Sequence, residues 1–305
     1  MFAIIIPFYQ VTPSILMRAL ESVFSQTISD WEVIVIDDES PIRAEDEIAL
    51  LPVAYRNRIH IKRIKNGGPG HARNVGLDMA AGMAHIDKVA FLDSDDRWDP
   101  SHLERAALAL AQGDIYFCDY VWPNATTTRF RQLQLDVRAF SVGIGDGLIR
   151  RFDGDFAELI LKEWPVCLSA TCIRKDISLN VRFDNRFKFS SEDQHYFLTL
   201  ATRNITVFYD CQAGLHLDHG LHFYSDRKRG DLKYTRSCIS NLLFHFVAER
   251  ECMFSAKAKR INRCHMLQNL KEIIISEAKS FIRERTLHTE LYPELFRVLG
   301  YGLRL

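Results

Sequence analysis

Two apolar runs early in the chain end abruptly in acid. Trp31 to Ile36 (WEVIVI) runs into Asp37-Asp38-Glu39-Ser40, and Val89 to Leu92 runs into Asp93-Ser94-Asp95-Asp96. A run apolar at every position reads as a strand buried on both faces. Phe2 to Pro7 is another such run, and Ile59 to Ile64 is a further strand. Between them lie segments with helical spacing: residues 13–26, 70–82 and 99–112. Thr12 reads as the N-cap of the first, with Pro13 in its first turn. The third starts at Asp99 and Pro100. Strand-helix-strand alternation of this kind predicts an α/β fold, an open and mostly parallel sheet covered by helices. Ligands of such sheets bind beyond the C-terminal ends of the strands, where the acids stand.

The remainder is less regular. Asp114–Tyr120 and Thr206–Tyr209 are short strand candidates, and residues 153–163 and 192–203 are helix candidates. Residues 232–285 read as two or more amphipathic helices, with Ile239, Leu242, Leu243, Phe246 and Val247 on one stripe. With 47% hydrophobic and 26% charged residues in 305, there is ample material for a core, which excludes a disordered chain. Lysine plus arginine and aspartate plus glutamate each number 39, so a globally basic nucleic-acid binder is disfavoured. The balance hides a split: residues 1–225 carry about −7 and residues 226–285 about +7. Seven cysteines without a C-x-x-C pair read as reduced structural thiols of a cytosolic protein. The start has no basic n-region, and no apolar run reaches the ~18–20 residues that span a bilayer.

Asp93-Ser94-Asp95 after a buried strand suits a hard cation. Mg²⁺ and Mn²⁺ favour oxygen ligands and often take one or two carboxylates plus substrate phosphates. A solvated acidic turn has the same letters. Asp37-Asp38 could hydrogen-bond a ribose or a base N–H, or simply form the turn before Pro41. Asn66 to Gly76 (NGGPGHARNVG) is a tight loop leading into a helix, and its Arg73 could pair with an acid or a phosphate. It fits neither the P-loop nor the dinucleotide fingerprint. Ser191-Glu192-Asp193 opens a helix-like stretch, where acids are often caps.

Together these elements resemble the inverting family 2 glycosyltransferases with the GT-A fold. The segments "IIIPFYQ", "QTISDWEVIVIDDES", "NGGPGHARNVGLDMAAG" and "VAFLDSDDRWDPSHLE" carry the likeness over residues 2–112, and Ser191-Glu192-Asp193 anchors it further on. Within the family, the opening and the "DDESP" loop most resemble bacterial exopolysaccharide glucosyltransferases of the succinoglycan type. The resemblance implies roles. Pro7, Phe8 and Tyr9 would line a uracil pocket. Asp38 would contact the uridine, with Asp37 supporting its loop. Asn66, Gly70 and Arg73 would shape the middle of the nucleotide site. Asp93 and Ser94 would meet the ribose or donor sugar. Asp95 would bind a Mn²⁺ or Mg²⁺ ion bridging the diphosphate. Asp193 would be the general base, with Glu192 beside it near the acceptor. The family's downstream metal-binding His does not align cleanly on "GLHLDHGLHFYS"; of His216, His219 and His222, His219 is the first choice. Arg227, Lys228 and Arg229 could instead supply charge to the diphosphate.

The resemblance thus implies a GT-A domain at 1–225, with a nucleotide-sugar half (1–112) and an acceptor half (113–225), followed by a basic helical segment at 226–305. It implies a UDP-sugar donor, glucose first, and a saccharide acceptor carried on a polyprenyl diphosphate. The basic segment 226–285 would dock on the cytoplasmic face of the inner membrane, each basic residue near an anionic leaflet contributing roughly 1 kcal/mol; a solvated helical pair or a homodimer contact would explain it equally. Two other readings stand beside this one: a non-catalytic sugar-nucleotide-binding protein and a sugar-phosphate nucleotidyltransferase. The second expects a Gly-rich loop after the first strand, where this chain has Pro7-Phe8-Tyr9.

Overall fold

The computed structural model describes residues 1–135, 140–187, 191–218 and 228–302. Its elements are β1 (Phe2–Phe8), α1 (Ile15–Phe24), β2 (Trp31–Asp37), α2 (Ala44–Ile48), α3 (Val53–Arg56), β3 (Ile59–Arg63), α4 (Pro69–Gly82), β4 (Lys88–Phe91), β5 (Arg97–Trp98), α5 (His102–Leu110), β6 (Ile115–Val121), α6 (Arg129–Leu133), β7 (Phe140–Ile144), β8 (Ile149–Phe152), α7 (Phe156–Glu163), β9 (Thr171–Arg174), α8 (Lys175–Ser178), α9 (Glu192–Ala201), β10 (Val207–His216), α10 (Leu232–Glu251), α11 (Ala256–Glu284) and α12 (Tyr292–Gly302).

The strands form one sheet in the order β3-β2-β1-β4-β9-β6-β10-β8-β7, with β5 pairing β10. The four strands read from residues 1–92 run parallel to one another. β9 then enters antiparallel between β4 and β6, so the sheet is mixed. β1 and β2 are buried almost throughout, which explains why β1 is apolar at every position and β2 at all but Glu32 and its terminal Asp37. Alternate residues of β1 (Phe2, Ile4, Ile6, Phe8) join Leu16 and Leu20 of α1 in the main core. On the opposite face α4 comes close at Gly76, where a Cβ would lie 2.4 Å from Ile5 Cγ2.

The first helix departs from the sequence expectation. It starts at Ile15, and Thr12 is not its cap. Ser14 occupies the cap position in a left-handed conformation (φ 67°) and its backbone N–H donates to the Glu47 carboxylate at 2.6 Å. The cap therefore comes from α2, 33 residues on. Burial pushes the Glu47 carboxyl up, against the pull of that N–H and of Leu16's.

The chain divides into two compact units. The first comprises Met1–Phe156, Glu163–Phe183 and Asn204–Leu221; the second comprises Ala157–Lys162, Asp184–Arg203 and His222–Leu305. The first holds the sheet. In the second, α10, α11 and α12 enclose Ile239, Leu242, Phe246, Ile273 and Val298. Polar side chains are built into that helical unit in pairs. Thr235 meets Ser276 at 2.7 Å, and His245 Nδ1 meets Asn262 Oδ1 at 2.7 Å. All seven cysteines are free thiols.

Candidate active site

Because β2, β1 and β4 are adjacent and parallel, their C-terminal ends bring three loops together. At the end of β2, Asp37 is nearly fully buried. Its carboxylate accepts from the Ser40 N–H (2.8 Å), the Ala44 N–H (3.1 Å) and Arg63 Nη1 (2.8 Å), which holds the loop and the start of α2 in place. Asp38, also buried, accepts from the Gly67 and Gly68 N–H groups, each at 2.9 Å. Its own N–H donates to the Phe8 carbonyl, and its carbonyl accepts from Asn66 Nδ2. Burial pushes the Asp38 carboxyl up; the two glycine N–H donors oppose this without cancelling it. Gly68 adopts φ 87°, ψ 169°, a conformation that side chains disfavour, and Pro69 then opens α4. Gly70 is buried in the first turn of α4.

At the end of β4, Arg73 of α4 is buried and donates to Asp93 Oδ1 at 2.6 Å. The Asp93 N–H donates to Ser169 Oγ, which lies in the turn before β9. Asp95 is half-buried and Asp96 almost completely buried. Burial, then the neighbouring Asp95 and Asp93 carboxylates, hold the Asp96 carboxyl well above the usual carboxylate range, with hydrogen bonds from Ser169 and the Asp218 backbone in opposition. Three carboxylates crowd one strand end, and one of them is forced toward its neutral form. Carboxylate oxygens of this kind suit a hard divalent cation.

Gln10 joins these loops. Its backbone N–H donates to Ser40 Oγ (2.9 Å), that hydroxyl donates back to the Gln10 carbonyl (3.0 Å), and Gln10 Nε2 donates to Ser94 Oγ (3.0 Å). Gln10, Ser169 and Asp96 were not singled out from the sequence. Asp96 was visible in the D-S-D-D run, but its burial was not. Nothing local marks Ser169. Of the aromatic candidates, Phe8 is enclosed in the core and reaches the loop through its carbonyl, whereas Tyr9 is 40% exposed.

Glu192 and Asp193 lie in the second unit, as the first two residues of α9, both half-buried. Ser191 precedes them in a left-handed conformation (φ 74°), with its hydroxyl on Asn241 Oδ1 of α10. Asp193 Oδ1 accepts from the Gln194 N–H. His219, His222 and Arg227 lie outside the described residues. His216 bonds Asp99 Oδ1 at 3.0 Å, which raises its pKa. Asp184, His195 and Glu251 of the second unit have ligand atoms within 4.8 Å of one another. Arg186 already binds both carboxylates there, at 2.5 and 2.7 Å, and supplies the positive charge that they need.

Residues 3–171 match the family model described as glycosyl transferase family 2. The succinoglycan biosynthesis protein ExoW of Rhizobium meliloti (strain 1021) is 36% identical over 224 residues, 72% of this chain and 70% of the relative. The minor teichoic acid biosynthesis protein GgaA of Bacillus subtilis (strain 168) is 27% identical over 92% of this chain and 60% of its own length. Among solved structures, S. aureus TarS 1-349 in complex with UDP-GlcNAc superimposes with a TM-score of 0.62 at 19% identity, covering 99% of this chain and 80% of that one. The mannosyltransferase PcManGT from Pyrobaculum calidifontis, in complex with GDP-Man and Mn²⁺, gives 0.57 at 15% identity, covering 98% and 80%. These likenesses establish the fold.

Proposed function

This chain belongs to glycosyl transferase family 2 and has its GT-A fold, and from that premise we propose that it is an inverting hexosyltransferase. The donor is a UDP-sugar, with glucose the first choice and N-acetylglucosamine the second. The acceptor is a growing saccharide on a polyprenyl diphosphate at the cytoplasmic face of a membrane, in the assembly of an exopolysaccharide or another surface polysaccharide. The observation that carries the reading is the crowding of Asp93, Asp95 and Asp96 at one strand end, beside a second acidic loop held by Asp37 and Asp38. The likeness to a succinoglycan biosynthesis protein supports the pathway class.

Asp38, with the loop Asn66–Gly70, holds the uridine, and Tyr9 and Pro7 lie against its base. Arg73 fixes Asp93 toward the ribose and donor sugar, with Ser94 beside it. Asp95, with His219, would hold a Mn²⁺ or Mg²⁺ ion. When bound, that ion supplies Lewis-acid compensation for the charge of the departing diphosphate. Asp193 takes the proton of the acceptor hydroxyl, and Glu192 orients the acceptor. The acceptor oxygen forms its bond to C1 as the bond from C1 to the UDP oxygen breaks, with the electron pair leaving on the diphosphate. One displacement inverts the anomeric centre. Proton removal by a positioned carboxylate contributes about 10²–10⁴ in rate.

The test is UDP release from a panel of UDP-sugars with Mn²⁺ or Mg²⁺ and a lipid-linked acceptor. Asp193→Asn is expected to abolish transfer while UDP affinity stays within a few fold. Equal loss of both would remove Asp193 from the base role. UDP binding without turnover of any donor would favour the non-catalytic reading.

A further inference from the structure

α11 keeps one face in solvent although three large apolar side chains lie on it. Leu267, Ile274 and Phe281 recur every seven residues and are 68%, 69% and 48% exposed. Ile282, beside Phe281, is 72% exposed. Seven-residue spacing returns to nearly the same side of a helix. Arg260, Lys271 and Arg285, all exposed, fall on that side too, three or four residues from an apolar neighbour or one heptad from it. The Arg285 guanidinium lies 5.8 Å from the Phe281 ring.

The acids of this helix are each paired: two with cations of other segments, the third with its neighbour Arg283. Glu272 pairs with Arg229 at 2.8 Å, Glu277 with His288 at 2.7 Å and Glu284 with Arg283 at 2.5 Å. The face is therefore both basic and apolar. We propose that it docks on an anionic phospholipid surface, with the helix lying in the plane of the interface. Such a surface is complementary on both counts: the apolar side chains enter the acyl boundary while Arg and Lys keep their charged heads among the phosphates. A second copy matches less well, because two-fold pairing sets this face against itself and brings Arg260, Lys271 and Arg285 near like charges. A nucleic acid would satisfy the cations and leave the four apolar side chains in water. No helix among the described residues is long and apolar enough to cross a bilayer, so contact at the surface is the mode this face offers. The inference does not rest on glycosyl transfer.

The experiment is co-sedimentation of the full chain with phosphatidylglycerol–phosphatidylcholine vesicles and with phosphatidylcholine vesicles alone, at low and high salt, beside analytical ultracentrifugation. Binding to the anionic vesicles is expected to exceed that to the neutral ones at least tenfold and to weaken as salt rises. Ile274→Ser with Phe281→Ser, and separately Lys271→Glu with Arg285→Glu, should each lose tenfold or more with unchanged circular dichroism. These positions are exposed, so the variants keep the fold. Absent binding by the natural chain, equal binding to both vesicle types, or full binding by both double variants overturns the proposal. A concentration-dependent dimer that the serine pair dissociates, without vesicle binding, overturns it in favour of a second copy.

Discussion

The two acidic strand ends are alike in sequence and differ in what surrounds their carboxylates. After β2, the buried carboxylates of Asp37 and Asp38 accept from four backbone N–H groups and the Arg63 guanidinium. After β4, Asp93 has Arg73, but Asp95 and Asp96 press on each other, and the buried one is driven toward its neutral form. The first cluster is held by donors from its own loops, although burial still raises the Asp38 carboxyl. In the second, burial and two neighbouring carboxylates act together on Asp96. Similar letters thus sit in different surroundings: donors from its own loops in the first, neighbouring carboxylates in the second.

Four substitutions sharpen or break this contrast. Asp37→Ala should cost most, about 3 kcal/mol, by leaving the Ser40 and Ala44 N–H groups without their acceptor and taking the carboxylate away from Arg63; denaturant unfolding reads it, and natural stability would dissolve the distinction. Asp95→Asn should leave unfolding almost unchanged while Mn²⁺-dependent UDP affinity drops on the order of 30-fold, about 2 kcal/mol, measured by titration calorimetry. Gly68→Ala should destabilise by about 1–2 kcal/mol, because its φ of 87° disfavours a side chain and it carries one of the two N–H groups on Asp38.

The smallest effect is in the pH dependence. Asp96 has a raised carboxyl pKa, so the folded state holds a proton that the unfolded chain releases above about 4. Cation-free stability should therefore fall as pH rises through and above that value. Asp96→Asn should flatten this slope, and so should Mn²⁺ in the natural chain. A slope that neither changes would separate Asp96 from the crowding.

His102 gives an opposite trend in the sheet unit. It is fully buried between Trp98 and the thiols of Cys118 and Cys172, and burial lowers its pKa to about 3. The unfolded chain takes up this proton below about 6.5 and the folded chain does not. Stability should thus decline as pH falls from about 6.5 toward 3, and His102→Gln should lessen that decline in an acid melting series.

β1, β2 and β4 were legible because burial on both faces writes itself as a nearly unbroken apolar run, and Gly68 and Pro69 punctuate the entry to α4. β9 was not. Its four residues (TCIR) have no periodicity of their own, and it is a strand only because β4 and β6 present open edges to it. The cap of α1 escaped for the same reason, since Glu47 reaches Ser14 through the fold. In the site, residue types at strand ends could be read. That Asp37 is a brace, that Asp96 is enclosed and that Ser169 receives the Asp93 N–H depend on contacts across tens of residues, which no window of sequence contains.

Gln10 gives the strand ends a shared mechanical fate. One residue is bolted by its backbone to Ser40 and by its side-chain amide to Ser94, so the turn after β2 and the turn after β4 have a common hinge pin. Displacing either turn strains the other. A molecule that presses on one of them works against the stiffness of both.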